Sequence, residues 1–341
     1  MSFPLVSIIM SVHNGMPFLH EAIDSILSQT IQAFEFIIID DGSTDLTPTV
    51  LERYQSLDRR VRVIKLEENL GLPTCLNIGI DQSKGKYIAR MDADDISLPY
   101  RLEAQVKFLE DHPDIDMAGT GYIVIDDFGK NKGAYLVSAD PAVIKWSFIF
   151  SNPIAHPSVM IRTSTLKKNG GYDEQCLRSQ DYDLWWRISL DGRISNVQKV
   201  CLLFRRHENR VSVRHSEQQQ DYARNISRKY LSSALGREIS LDVVDAINGK
   251  RTTALSAIVA GDTIRDYCEY CMKDETPAVQ LVILWQAAKK IFLRLSRHIL
   301  SPIAVQVWFH LFLLLTNIFV VIIKTLVSYA KLVFVSEVKL D

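Results

Sequence analysis

Three aspartates, Asp92, Asp94 and Asp95, stand within four positions directly after a short apolar run, residues 87–91. Such a run is typical of a buried strand, and a helical pattern begins at Pro99. Carboxylates spaced as Asp92 and Asp94 can share one hard divalent cation, and a cation with open positions attracts a diphosphate. An acidic N-cap and first turn for the following helix would also explain one or two of the acids through the helix dipole. The cluster therefore predicts either a metal-diphosphate site or a solvated acidic turn.

Strands and helical patterns alternate along the residues that precede this cluster. Three apolar runs between residues 5 and 66 are each followed by a segment in which apolar residues recur at helical spacing. This alternation predicts an α/β fold with a mostly parallel sheet and right-handed crossovers, and such sheets bind ligands at the carboxyl ends of their strands. Because His13, Asp41 and Asp92 each follow a predicted strand directly, we expect them at one shared edge.

Two further groups follow later in the chain, after one or two predicted strands at residues 115–125. His156 lies in a loop that enters a short predicted strand, and Asp181 lies at the start of a predicted helix. A single histidine is more often structural than functional, and a carboxylate at a helix start can simply be a cap. From the residues alone, both the functional and the structural interpretation stay open.

Composition excludes some classes of function. The 341 residues carry a formal net charge of -1, so there is no overall basic bias of the kind that nucleic-acid binding requires. The five cysteines are odd in number and scattered, which favours a reducing compartment over a disulfide framework. The N-terminal apolar run lacks a preceding basic segment and a small-residue cleavage site, so we interpret it as a strand and expect the bulk of the protein in the cytoplasm.

The last part of the chain is much more apolar than the rest. A helical pattern begins near Pro277 and carries four cations between residues 289 and 297, as basic amphipathic helices on anionic membranes do. Residues 303–323 then contain no Asp, Glu, Lys or Arg. As a helix, this stretch would be about 30 Å long, enough to span a bilayer. It predicts a membrane span or a helix in the lipid interface, with a core helix of a soluble domain as the alternative.

Seven motifs, in a fixed order and spacing, carry a resemblance to a known family. They are Val6-Ser7-Ile8-Ile9 through Asn14, Ile39-Asp40-Asp41-Gly42-Ser43-Thr44-Asp45, Asn69-Leu70-Gly71, Met91-Asp92-Ala93-Asp94-Asp95, Ala155-His156-Pro157-Ser158-Val159-Met160, Gly171-Tyr172-Asp173 and Gln180-Asp181-Tyr182-Asp183-Leu184-Trp185. Over about residues 4–215 the chain resembles the inverting family 2 glycosyltransferases of GT-A fold, of the type that builds bacterial surface polysaccharides.

The resemblance implies a role for each matching residue. Asp41 would read the nucleobase, with Ser11 and His13 beside it, and Asp92 would meet the ribose or the diphosphate. Asp94 would hold Mg²⁺ or Mn²⁺, which neutralises the departing nucleoside diphosphate.

Asp181 would be the general base that takes the proton of the acceptor hydroxyl. The resemblance also makes His156 a candidate metal ligand, and it gives His207 either metal or phosphate contact or a structural role. Two positions depart from the family's usual pattern, since His13 stands where Tyr is common and Gln180 where Glu is common.

Together these observations predict an inverting glycosyltransferase in three parts. A GT-A domain would cover residues 1–215, a helical extension 216–275, and membrane-associated helices 276–341. The expected partners are a nucleotide-diphospho-sugar donor, a glycan or lipid-linked acceptor and membrane lipid, at the cytoplasmic face of the cell membrane. The main alternative is a catalytically silent nucleotide-sugar-binding or scaffold protein at the membrane. A sugar-phosphate nucleotidyltransferase would need a Gly-rich basic loop after the first strand, which residues 13–17 do not provide.

Overall fold

The computed structural model of the chain describes residues 4–207, 216–250, 253–273 and 275–298. Within these residues, nine strands form one sheet. The strands are β1 (Val6–Val12), β2 (Phe34–Asp41), β3 (Val61–Leu66), β4 (Tyr87–Asp92), β5 (Ile96–Ser97), β6 (Met117–Ile125), β7 (Asn131–Tyr135), β8 (Met160–Arg162) and β9 (Ile194–Arg205). The helices are α1 (Leu19–Leu27), α2 (Thr47–Leu57), α3 (Leu72–Gln82), α4 (Arg101–Asp111), α5 (Pro141–Ser147), α6 (Thr163–Lys168), α7 (Gln180–Asp191), α8 (Ser216–Leu235), α9 (Leu241–Ile247), α10 (Ala254–Met272) and α11 (Pro277–His298).

Helices cover both faces of the central strand β1, which explains its unbroken apolar sequence. Ile8 and Met10 point toward the amphipathic helix α1 and belong to the main hydrophobic core. Ile9 points to the opposite face, where α3 approaches so closely that a Cβ on Gly79 would lie 2.5 Å from the Ile9 side chain. Each of these fully buried apolar side chains contributes about 1.5–3 kcal/mol to folding. The three layers hold β1 rigidly, together with the loop that follows it.

The sheet is mixed, which corrects the prediction of a mostly parallel sheet. Strands β1 to β4 pair in parallel, but β8 lies antiparallel between β4 and β6, and β7 forms an antiparallel hairpin with β6. β9 runs parallel to β6, and β5 pairs antiparallel with β9. Strands and helices stop alternating after β4, and the five-residue link between β6 and β7 suits an antiparallel hairpin because it is too short for a crossover.

The strand directions bring several loops to one edge of the sheet. Ser11 near the end of β1 is in register with Asp92 at the end of β4, and Val12 is in register with Asp40 on β2. β6 is antiparallel to β8, which is itself antiparallel to β4, so β6 and β9 run in the direction of β4. Arg205 at the end of β9 therefore lies at the same edge as Asp92.

The chain divides into two compact units, Met1–Leu241 and Asp242–Asp341. In the first unit, α8 packs on α7: the Tyr230 ring stacks on Trp186 with centroids 5.6 Å apart, and its hydroxyl donates a hydrogen bond of 2.8 Å to Asp183. Helix α8 lies beyond residue 215, in the segment 216–275 for which the sequence predicts a helical extension.

In the second unit, α10 and α11 pack against each other, and their buried side chains include Ala260, Ile264 and Ile283. None of the helices in the described part of the chain is both long enough and apolar enough to cross a membrane. The predicted span at residues 303–323 lies outside the described residues.

Candidate active site

The three aspartates after β4 form a cluster of carboxylates. One oxygen from each of Asp92, Asp94 and Asp95 lies within 4.8 Å of the others. Asp92 and Asp94 are partly exposed, whereas Asp95 is fully buried and accepts a hydrogen bond of 2.8 Å from the Arg205 backbone N–H. The two partly exposed carboxylates are therefore the ones that solvent or a ligand can reach.

This donor set fits a hard divalent cation. Mg²⁺ and Mn²⁺ prefer carboxylate oxygens, and three such oxygens at this separation can reach one ion. His207 adds an imidazole beside them, because its Nε2 lies 2.9 Å from Asp94 Oδ2. His207 lies two residues after the end of β9, so the sheet brings it next to Asp94, which is 113 residues away in the sequence.

Arg205 on β9 contacts the loop that carries Asp92, Asp94 and Asp95, which we call the aspartate loop. Its buried guanidinium donates to the Asp94 carbonyl oxygen at 3.0 Å, forms an ion pair with Glu21 on α1, and lies 4.3 Å from the centroid of the Phe18 ring. A buried cation with a carboxylate partner and carbonyl acceptors is well satisfied. These contacts fix the backbone of the aspartate loop against β9 and α1.

The loops after β1 and β2 form the neighbouring part of the edge. His13 Nδ1 lies 2.7 Å from the Asp41 carbonyl oxygen, so Nδ1 carries the proton and donates. The Asn14 amide donates to His13 Nε2 at 3.2 Å, and its Oδ1 accepts from the Thr44 N–H at 2.8 Å. Asn14 has a φ of 53°, a left-handed conformation that Asn tolerates better than most residues. These hydrogen bonds hold the exposed His13 ring in one tautomer, in the loop that follows β1.

Asp41 is almost fully buried and already has backbone partners. Its Oδ1 accepts a hydrogen bond of 2.7 Å from the Leu70 N–H, and its Oδ2 accepts one of 3.1 Å from the Gly71 N–H. Gly42 has a φ of 64° and lies so close to the same loop that a Cβ would come within 2.7 Å of the Glu68 carbonyl carbon. Asp41 therefore anchors the loop before α3, and its predicted contact with a nucleobase stays a prediction.

Asp181 lies in the first turn of α7 and is partly buried. Its Oδ2 accepts a hydrogen bond of 2.7 Å from the Asn152 side-chain amide. Burial raises the pKa of Asp181 to about 6, backbone hydrogen bonding and the charge of Arg90 oppose this rise, and the charge of Asp92 adds to it. Asp181 is therefore close enough to Arg90 and Asp92 for their charges to affect its pKa, which is well above that of an ordinary aspartate.

In the described part of the chain, the group of possible metal ligands that lie close together comprises the three aspartates and does not include His156. Its Nε2 is 2.8 Å from the Tyr172 hydroxyl, and its ring lies edge-on to Trp185 with centroids 5.8 Å apart. These contacts give His156 a packing role, and its binding to metal stays a prediction.

The raised pKa of Asp181 predicts a pH-dependent effect on stability. The folded protein holds this proton more tightly than the unfolded chain between about pH 4 and pH 6, so the ionised group destabilises the fold as pH rises through that window. At pH 8, Asp181→Asn should therefore raise the free energy of unfolding by about 1–3 kcal/mol, and near pH 4 the gain should disappear.

Thermal unfolding of both proteins at the two pH values measures this difference. Asp114→Asn, at a side chain that is 58% exposed, is the matched control and should change little at either pH. An Asp181→Asn variant that is no more stable than the natural protein at pH 8 would contradict the burial of the charge.

Three residues that contact this site were not singled out from the sequence. Arg90 is a cation inside the apolar run of β4, and this was a usable signal, because a buried cation requires a carboxylate partner, here Asp92. Arg205 and Asn152 gave no such signal. Their partners Asp94 and Asp181 lie 111 and 29 residues away in the sequence, so only the fold reveals these contacts.

Comparison with known proteins identifies the relatives of this chain. Residues 7–167 match the glycosyl transferase family 2 domain. The uncharacterised glycosyltransferase MJ1057 of Methanocaldococcus jannaschii is 38% identical over 213 residues, which are 60% of this chain and 72% of that protein. The O-antigen biosynthesis glycosyltransferase WbnJ of Escherichia coli is 36% identical over 209 residues, which are 60% of this chain and 80% of that protein.

A solved structure has the same fold at low sequence identity. The mannosyltransferase PcManGT from Pyrobaculum calidifontis, in complex with GDP-Man and Mn²⁺, aligns with a TM-score of 0.53 over 95% of this chain and 84% of its own. Its sequence identity is 15%, so the likeness concerns the fold alone.

Proposed function

This chain belongs to glycosyltransferase family 2, and we propose that it transfers a sugar from a nucleotide-diphosphate donor to an acceptor hydroxyl with inversion at the anomeric carbon. The observation that carries the proposal is the cluster of Asp92, Asp94 and Asp95 at the carboxyl end of β4, together with Asp181, a carboxylate whose raised pKa responds to the charge of Asp92. The aspartate cluster can bind the diphosphate of the donor through a divalent cation, and Asp181 can take the proton of the acceptor hydroxyl.

Asp181 acts as the general base in this proposal. A carboxylate with a pKa of about 6 is ionised at neutral pH and is a stronger base than an ordinary aspartate. It takes the proton of the acceptor hydroxyl while that oxygen attacks the anomeric carbon from the face opposite the diphosphate. A single displacement with one base inverts the configuration of that carbon.

Asp94, Asp92 and His207 are the side chains placed to hold a divalent cation. Bound Mg²⁺ or Mn²⁺ supplies Lewis-acid stabilisation of the charge on the leaving diphosphate. Arg205 and the backbone around Asp95 keep the loop in position during turnover. We assign Ser11, His13 and Asp41, on the neighbouring loops, to the nucleoside of the donor.

We place the reaction in the assembly of surface polysaccharide or a lipid-linked glycan. Two observations support this assignment: the relative WbnJ is named for O-antigen biosynthesis, and the sequence after residue 276 has the composition of a membrane-associated segment. A lipid-linked acceptor at the cytoplasmic face of the membrane would then be presented to a catalytic unit that is held at the same surface.

A screen of nucleotide sugars tests the function. Thermal shift with Mn²⁺ should identify a stabilising donor, since a ligand that binds only the folded state raises the unfolding temperature. The anomeric configuration of the product formed from that donor, read by NMR, should be opposite to that of the donor. Retention of configuration would contradict the single-displacement mechanism, and the absence of any stabilising nucleotide sugar would contradict the transferase proposal.

Membrane association predicts a simple fractionation result. The full-length chain should sediment with membranes, whereas a chain that ends at residue 274 should stay in the supernatant, because it loses the apolar stretch and the preceding cations. Carbonate or high salt should partly release a helix that lies in the interface, whereas a span should require detergent. Recovery of the full-length chain in the supernatant without detergent would contradict both forms of attachment.

A further inference from the structure

We propose that Asn152 is a positioning residue for the general base: its side-chain amide holds one oxygen of Asp181 and leaves the other to receive the acceptor's proton. The inference rests on the proposed function, since it assigns Asn152 through the role of Asp181. Asn152 itself lies in the loop between α5 and β8, 29 residues from its partner.

The hydrogen bonds of Asn152 determine the orientation of its amide. Asn152 Nδ2 donates to Asp181 Oδ2 at 2.7 Å, and Asn152 Oδ1 accepts from the Ile154 N–H at 3.1 Å. The reverse orientation would set an amide oxygen against a carboxylate and two donors against each other, so it is excluded. Asn152 is thereby fixed by its own loop before it meets the base. Its donor group is preorganised.

Several other groups also interact with Asp181, through the backbone or through their charges. The backbone N–H groups of Asp181 and Tyr182 stabilise the charged carboxylate from the helix start, and Arg90 attracts it from β4. The other titratable groups whose charges interact with Asp181 are Asp92 at the end of β4, Tyr172 and Cys176 in the loop before α7, and Tyr182 on α7. Among the described residues, Asn152 is the side chain that donates a hydrogen bond directly to Asp181.

Loss of this donor has two consequences for the reaction. The charged form of Asp181 loses a hydrogen bond, so its pKa should rise further above its ordinary value, and the acid limb of the rate profile should move toward neutral pH. The carboxylate also gains rotational freedom, and a base that is misdirected by even a small distance transfers the proton more slowly. Donor binding should change little, because Asn152 contacts the base and not the loops assigned to the nucleoside.

Two substitutions separate this role from a merely structural one. Asn152→Ala removes both hydrogen bonds, whereas Asn152→Asp keeps an oxygen that can accept from the Ile154 N–H but offers Asp181 no donor when it is ionised. If Asn152 only shaped its loop, Asn152→Ala would lower stability but would not shift the acid limb of the rate profile. Asn169→Ala is the matched control, because it deletes an amide hydrogen bond to a backbone carbonyl elsewhere, and it should leave kcat unchanged.

We expect both Asn152 variants to lower kcat by about tenfold or more with a donor KM within about twofold, and to shift the acid limb upward. In an Asp181→Asn background, Asn152→Ala should cause less than about a twofold further loss, because residues that act as one unit are not additive. An Asn152→Asp variant with natural kcat and pH profile, or full additivity of the two losses, would overturn the inference. The proposed function is tested separately, by the nucleotide-sugar screen, by the configuration of the product and by the roughly hundredfold loss of kcat expected for Asp181→Asn alone.

Discussion

Asp94→Asn should abolish most sugar transfer and weaken nucleoside-diphosphate binding in the presence of Mn²⁺. The substitution is nearly isosteric and its amide oxygen can still accept a hydrogen bond from His207, but it removes the charge of a carboxylate that solvent can reach in the aspartate cluster. A hard divalent cation depends on such charges, and the departing diphosphate depends on the cation. The structural consequences of the change should therefore be small compared with its effect on the chemistry.

Calorimetry with UDP and GDP measures the effect, in buffers that contain either Mn²⁺ or EDTA. The natural protein should bind its diphosphate more tightly with Mn²⁺ than with EDTA, and the variant should lose most of this difference. Asp111→Asn, on the exposed face of α4 where Asp111 pairs with Lys107, is the matched control and should bind like the natural protein. The metal assignment would be wrong if the natural protein bound the diphosphate as tightly with EDTA as with Mn²⁺ and the variant bound it equally well.

Asp181→Asn should lower kcat by roughly a hundredfold or more while the affinity for the donor stays nearly unchanged. An amide cannot accept the acceptor's proton, so the loss falls on the transition state rather than on donor binding. In the natural protein, kcat should fall about tenfold for each pH unit below the Asp181 pKa of about 6. The variant should not show this acid limb.

Kinetics with the donor identified by thermal shift, measured from pH 5 to pH 8, tests this expectation. The increase in stability predicted for the same variant at pH 8 serves as an internal control, because a protein that is more stable but slower has not lost activity by unfolding. A parallel loss of donor affinity would instead indicate that Asp181 is a cap required for the shape of the site.

Local sequence was sufficient for the first half of the catalytic unit. The apolar runs that predict strands at residues 5–12, 36–39, 61–66 and 87–91 correspond to β1, β2, β3 and β4. β1, β2 and β4 are almost fully buried, and a strand buried on both faces must be apolar whatever its neighbours are, whereas β3 is mostly half-buried. Since parallel strands end at one edge, the positions of His13, Asp41 and Asp92 followed from the order of the elements alone.

The later strands were harder to predict because their pairing depends on distant partners. β5 has only two residues, and β7 is mostly exposed, so neither carries an apolar pattern. The insertion of β8 between β4 and β6 reverses the strand direction without leaving a signal in the residues themselves. The register and direction of a strand are set by long-range hydrogen bonding and packing. Local sequence propensity therefore does not predict where antiparallel strands enter this sheet.

The sequence by itself determined which chemical groups this protein has available: three aspartates after a buried strand, and one more at a helix start within an ordered set of family motifs. Only the tertiary structure decided what each of them became. Asp95 points inward to the Arg205 backbone, Asp94 lies beside His207, and Asp181 is partly buried next to Asn152 with a raised pKa. Side-chain chemistry belongs to the residue, but a pKa, a hydrogen-bond partner and access to solvent belong to its surroundings, and those are assembled from segments far apart in the chain.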